Sequence, residues 1–247
     1  MSVDQPGLGE QALSKAAEMG LSSQLDEVEE LNVDIRTNPI QLMQGELESV
    51  SIEGKGLVMQ EELRTEKLQM QVGNIAINPL SAAFGKIELS HPTQAETKVV
   101  LTEQDIDRAF NSDFLREKLQ NMEVNVQGQP VTVDTQKVEF SLPDRDKFSL
   151  DATFYLRETG ETKKTAFTAV PEIASGGNRI SLEQVEYKDG QEISPELTEA
   201  LLDKSSELLD FSNFELKGMS LRLKNLDVQP GNLIVEAEAY IRDFPSS

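Results

Sequence analysis

One pattern occurs twice in the chain. The first copy runs Asn38-Pro39-Ile40-Gln41-Leu42-Met43-Gln44-Gly45-Glu46-Leu47-Glu48, and the second runs Asn78-Pro79-Leu80-Ser81-Ala82-Ala83-Phe84-Gly85-Lys86-Ile87-Glu88. Asn, Pro, Gly and the final Glu coincide, and an aliphatic residue follows each Pro. Alternating apolar residues precede both copies: Leu31, Val33 and Ile35 before the first, and Met70, Val72, Ile75 and Ile77 before the second. Self-similarity at a fixed offset marks one supersecondary unit used twice. A strand enters, Asn-Pro ends it, a short apolar segment crosses over, and Gly leads into the next strand. The internal repeat spans 31–52 and 70–89, and it predicts a binding-type architecture of repeated β units.

Composition limits what such units can build. The 247 residues suffice for one large domain or two small ones. Only 38% are apolar and Trp is absent, so the core is thin. A thin core spread over a long sheet suits an elongated shape better than a sphere. The formal charge is −21, from 44 acidic and 23 basic residues. Nucleic acid is excluded as a partner, because that affinity rests on neutralising phosphates with Lys and Arg. Permanent adhesion to an anionic membrane is disfavoured for the same reason, and such charge favours a monomer. No cysteine is present, which rules out disulfides, thiolate nucleophiles and Cys-ligated zinc. The N-terminus has neither a basic nor an apolar segment of the signal-peptide kind, and no apolar run approaches the roughly 18 residues of a membrane span. The expected location is cytoplasmic, with at most transient, peripheral membrane contact.

Residues 1–9 read as a flexible tail. Leu13, Ala17, Leu21, Leu25 and Val28 recur at helical spacing from Glu10 to Glu30, with Glu18, Asp26, Glu27, Glu29 and Glu30 as a solvated acidic face. Strands follow over 31–101. Thr102 and Asp105 form a capping box for a second helix whose apolar stripe is Ile106, Phe110, Phe114 or Leu115, and Leu119. Alternation then predicts strands through Val124/Val126, Val131/Val133, Val138 to Leu142 and Phe148 to Leu156. A hairpin returns through Ala166, Thr168 and Val170, and a further strand includes Ile180 to Tyr187. Ser194-Pro195 starts a third helix. The chain closes with strands, among them Leu221/Leu223 and Leu233 to Ile241, joined by a type II turn at Pro230-Gly231. The reading is α+β: a largely antiparallel, curved sheet with three helices, residues 10–247 forming a single domain.

Catalytic chemistry finds little support. His91 is the lone histidine; Pro92 follows it, and no Gly-x-Ser-x-Gly elbow exists to supply a nucleophile. Gly54-Lys55-Gly56 lacks the spacing of a phosphate loop and reads as a bulge or strand bend. Asp144-Arg145-Asp146 opens like a calcium loop, but Phe148 and Ser149 occupy positions that need a ligand and a Gly. The expectation is a protein without catalytic residues, metal or cofactor.

An ordered series of segments resembles the LmeA-like phospholipid-binding family, particularly its leaderless members in photosynthetic bacteria. The segments are Gln24 to Glu29 running into Leu31 to Asp34, Gly45 to Val50, Ile77 to Ser81, Val100 to Ile106, Lys217 to Leu223 and Gln229 to Leu233. The resemblance implies lipid binding without catalysis, in a fold like the tubular lipid-binding proteins, where a curved sheet wraps a helix around an apolar groove. The expected partner is a phospholipid or another acyl lipid. The expected site lies along the third helix and the C-terminal strands. Leu197, Leu201 and Leu208 would meet acyl chains with Leu221, Leu223, Leu233 and Val235, beside the small Ala237 and Ala239. Lys217, Arg222 and Lys224, in the one basic stretch free of acids, would meet the phosphate. Core leucines have the same spacing, and Arg222 and Lys224 equally fit the solvent side of an alternating strand. The competing function is an acidic β-repeat scaffold with a filled core and no lipid.

Overall fold

A computed structural model describes residues 7–77, 89–126, 128–174, 176–188, 195–208 and 219–242. The described residues form two antiparallel sheets. The strands of the first are β1 (Glu27–Arg36), β2 (Glu46–Met59), β3 (Leu63–Ala76) and β4 (Thr93–Thr102), followed across the sheet by β11 (Asn232–Ile241) and β10 (Met219–Gln229). The second is a meander of β5 (Met122–Val126), β6 (Gln129–Asp144), β7 (Lys147–Leu156), β8 (Glu161–Ile173) and β9 (Ile180–Tyr187). After β4 the chain leaves the first sheet, builds the second, and returns as the hairpin β10–β11, with β11 paired to β4 from Asn232↔Thr102 to Ile241↔Thr93. Five helices accompany the sheets among the described residues: α1 (Leu8–Ser22), α2 (Pro39–Gln44), α3 (Glu103–Asn111), α4 (Asp113–Lys118) and α5 (Pro195–Leu208). The α+β class and the dominance of antiparallel pairing agree with the sequence. The second Asn-Pro copy, 78–88, lies outside the described residues.

Three local expectations need correction. The first helix stops at Ser22 instead of reaching Glu30, because the Ser23 hydroxyl donates to the Gly20 carbonyl at 2.7 Å and β2 claims the chain from Glu27↔Val58 onward. Asp26 to Glu30 therefore leave the helix, and the helix also begins earlier, at Leu8, within the segment read as tail. The second helix is two, because Ser112 ends α3 and caps α4. Its hydroxyl donates to the Ala109 carbonyl and accepts the Leu115 N–H, so Phe114 turns out of the stripe and is exposed. On β8 the inward residues are Thr165, Phe167 and Ala169, not Ala166, Thr168 and Val170. Ala152↔Thr165, Leu150↔Phe167 and Phe148↔Ala169 are the cross-strand pairs, so the buried side of β7 dictates which side of β8 is buried.

Helix α1 has no buried residue; it lies along the outer edge of β1 and closes it with side chains. Glu10 accepts the Thr37 N–H at 2.8 Å, Ser14 accepts that of Ile35 at 3.0 Å, and Glu18 accepts that of Val33 at 3.3 Å. Four helical residues rise about 6 Å and two strand residues about 6.8 Å, so the two spacings nearly coincide. Helix side chains thus occupy edge donors that would otherwise pair with another strand.

Among the described residues the apolar interior forms three clusters. One lies on the first sheet around Val72, Ile75, Ala95, Ala239 and Ile241. A second joins β5, β6 and β7 to α5 through Met122, Val133, Phe154, Leu197 and Leu201. The third bridges the two sheets, with Leu142, Phe148 and Phe167 from the second meeting Val228 and Leu233 from the first. Backbone bonds reinforce that junction: the Asp146 N–H reaches the Val228 carbonyl at 3.1 Å, and the Gly231 N–H reaches that of Leu142 at 2.9 Å.

Candidate functional site

Helix α5 touches both β5 and β9, the two edge strands of the second sheet. A sheet whose opposite edges reach one helix curls around it. Pro195 occupies the first helical position, where its missing N–H removes no helical bond. Leu197 and Leu201, one turn apart, are buried against the sheet; Leu202, on the next face, reaches the cluster that contains Val228 and Leu233. The helix therefore forms one wall of the curled sheet's interior and also reaches the cluster at the turn end of the β10–β11 hairpin.

Thr165 lies on this same inner side, directly across from Ala152, which belongs to the cluster of Leu197 and Leu201. It is buried, and its hydroxyl is the only buried side-chain polar atom without a hydrogen-bond partner among the described residues. An unpaired buried hydroxyl is unfavourable, and a threonine O–H can donate to an ester or phosphate oxygen. The misassigned side of β8 hid Thr165 in the sequence. Both sides carry apolar residues, Phe167 and Ala169 on one and Ala166 and Val170 on the other, so alternation alone selects neither.

The structure distributes the other expected site residues over a wider area. Leu233 packs into the cluster between the sheets, and Val235, farther along β11, is half-buried. At the opposite end of β10, Leu223 is buried and its N–H donates to the Gly177 carbonyl at 2.6 Å, while Leu221 is exposed. Arg222 donates to the Gly176 carbonyl at 3.1 Å, and Lys224 pairs with Glu238 at 2.8 Å across the hairpin. The strand thus meets the β8–β9 loop at Gly177, where an added Cβ would stand 2.6 Å from the Leu223 carbonyl oxygen. Lys217 and the side chain of Leu208 lie outside the described residues. His91 is an exposed residue of the bend before β4.

A groove of about 440 Å³ lies elsewhere, between the end of α1, the β2–β3 turn and α4. Asp26, Glu61, Asp113 and Glu117 line it beside the exposed Met59 and Phe114. The turn carries Gln60 and Glu61 at φ 51° and 66°, with the Glu61 N–H donating to Asp26 at 2.8 Å. The sequence does not reveal this groove, because it reads Asp26 as part of a helix and leaves Phe114 or Leu115 as the stripe position, of which Phe114 is the exposed one. No trio of His, Cys, Asp or Glu suited to a metal ion occurs among the described residues, and no described helix is long and apolar enough to cross a membrane.

The sequence matches the LmeA-like phospholipid-binding family over residues 5–238, and the chain belongs to that family. No curated protein matches it.

Proposed function

We propose that this LmeA-like chain binds phospholipid non-catalytically, with acyl chains lying between α5 and the concave side of the second sheet, in the service of lipid transfer or membrane-lipid homeostasis. Family membership carries the reading. The curled sheet around a leucine-bearing helix supports the position, and so does the unpaired Thr165 hydroxyl facing it. Leu197 and Leu201 supply apolar contact, and each buried methylene contributes about 0.8 kcal/mol. In this proposal Leu221, Leu223, Leu233 and Val235 add apolar contact along the C-terminal hairpin, and Arg222 and Lys224 meet the headgroup. The acidic exterior favours release from an anionic membrane over retention.

Native mass spectrometry of the protein purified without detergent tests the reading. A phospholipid mass on the chain is expected, and a clean apo mass across independent preparations would overturn it. Thr165→Val refines the position. Removing an unpaired hydroxyl leaves stability unchanged or raised, whereas lipid retention falls if Thr165 bonds the lipid. Equal lipid content in the variant and the parent would move the lipid away from this wall. The acidic groove favours a second reading, an interaction module for a basic partner; an apo mass together with saturable binding of a basic peptide at Asp26 and Glu117 would select it.

A further inference from the structure

The three most exposed large apolar side chains among the described residues are Leu8 at 87%, Met43 at 85% and Ile40 at 70%. They come from two elements tied together at one end of the first sheet. Leu8 opens α1; Glu10, two residues on, accepts the Thr37 N–H at 2.8 Å, and Thr37 leads directly into α2, which carries Ile40 and Met43. Local sequence holds α2 in place. Asn38 accepts the N–H groups of Ile40 and Gln41 at 3.0 and 2.9 Å, Pro39 follows at the first helical position, and Gly45 ends the helix at φ 77°. The cap therefore fixes a helix with no buried residue, and Ile40 and Met43, three apart, share one side of it.

In a chain of charge −21, the stretch from Thr37 to Gly45 contains no charged residue. Of the flanking charges, Arg36 pairs with Asp34 at 2.7 Å and Glu10 accepts the N–H groups of Gly7 and Thr37, while Glu46, the first residue after the stretch, is exposed.

We propose that the Leu8–Ile40–Met43 end of the first sheet is a docking tip that inserts into the surface of zwitterionic phospholipid bilayers; this rests on the phospholipid-binding reading and supplies the route by which lipid is exchanged. A bilayer fits where a protein partner does not. A six-residue helix and one neighbouring leucine fall far short of the roughly 800 Å² per partner that a stable protein interface buries, and two copies of charge −21 repel. Insertion past headgroups requires apolar side chains and no charge to desolvate, which is the composition of this segment. Zwitterionic lipid is specified because an anionic surface repels the rest of the molecule.

Co-flotation of the full chain with phosphatidylcholine vesicles tests the proposal, against the triple variant Leu8→Ser, Ile40→Ser, Met43→Ser. Association should fall by roughly tenfold or more with the melting temperature unchanged. Met43→Trp provides a gain-of-signal arm, since its fluorescence should shift to the blue on adding vesicles and be quenched by brominated phosphatidylcholine. The proposal is overturned by absent wild-type association, by unchanged association of the triple variant, by binding confined to phosphatidylglycerol vesicles, or by a concentration-dependent dimer that the variant abolishes. Binding of dihexanoyl phosphatidylcholine below its micellar concentration, followed by native mass spectrometry, separates the two readings. Retained binding without vesicle docking defeats the tip alone, whereas its loss defeats the lipid-binding reading.

Discussion

Arg64 on β3 joins three elements at one point. Its guanidinium donates to Glu29 of β1 at 2.8 Å, to Glu66 of β3 at 2.9 Å, and to both carboxylate oxygens of Asp105 in α3 at 3.2 Å. The bond to Glu29 contributes most to raising the Arg64 pKa, so the cation persists at any working pH. Asp105 is only 3% exposed and also closes the capping box with Thr102. Arg64→Met should therefore cost roughly 3 kcal/mol in urea unfolding, because it leaves a buried carboxylate without its cation. Asp134 is a second such anchor: Arg157 donates to it at 2.7 and 3.1 Å, and the Asn121 N–H at 2.8 Å. Arg157 first, and then that N–H, lower its pKa. The resulting stabilisation is complete above the ordinary aspartate value of 3.8 and is lost as the pH falls through the lower folded value. Stability of the parent should thus decline below about pH 4, and Asp134→Asn should flatten that decline in urea midpoints measured against pH. Neither anchor was legible in the sequence. With 44 acidic residues, every basic residue has nominal partners at every spacing, and only the fold selects among them.

The elements show what periodicity resolves and what it does not. β7 was readable because Phe148, Ala152, Phe154 and Leu156 alternate against polar neighbours, and they are all buried. β8 carries apolar residues on both sides, so its buried side follows from pairing with β7 and not from its own pattern. The break at Ser112 was obscured because the helical stripe continues through it to Leu119, although serine is a cap residue by nature. Helix α1 is visible in the sequence, but its use is not: Glu18 reads as part of a solvated face, yet it accepts the Val33 N–H. The triple change Glu10→Ala, Ser14→Ala, Glu18→Ala should leave the sheet folded while opening its edge. Amide exchange at Val33, Ile35 and Thr37 should accelerate well beyond that at Asp34, which faces Ser51 of β2. Sedimentation should also reveal self-association through the bared strand. Unchanged exchange at those three amides would mean that α1 does not protect the edge.

At the scale of the molecule, the apolar fraction points to a thin core, and the described residues divide that core among three clusters. The order of the first sheet was beyond sequence reading, since β4 pairs with a strand from the far end of the chain. Local patterns carry no record of so distant a partner. The consequence is that the second sheet is inserted between two neighbours of the first. The turn of β10–β11 is held against it by Val228, 2% exposed, and by the bonds from Asp146 and Gly231. A junction made of buried apolar contact and backbone bonds should make both sheets unfold together. The three tyrosines permit a direct test, because Tyr240 lies in the first sheet and Tyr155 and Tyr187 in the second, with no Trp to obscure them. Tyr240→Phe leaves emission from the second sheet alone, and Tyr155→Phe with Tyr187→Phe leaves emission from the first. After correction for each variant's own stability by circular dichroism, the two urea midpoints should coincide. Val228→Ala introduced into both backgrounds should lower both midpoints together, by roughly 1–3 kcal/mol, because the cavity weakens a junction that each sheet shares. Separation of the two midpoints, or a Val228→Ala effect confined to one sheet, would show two independently stable units.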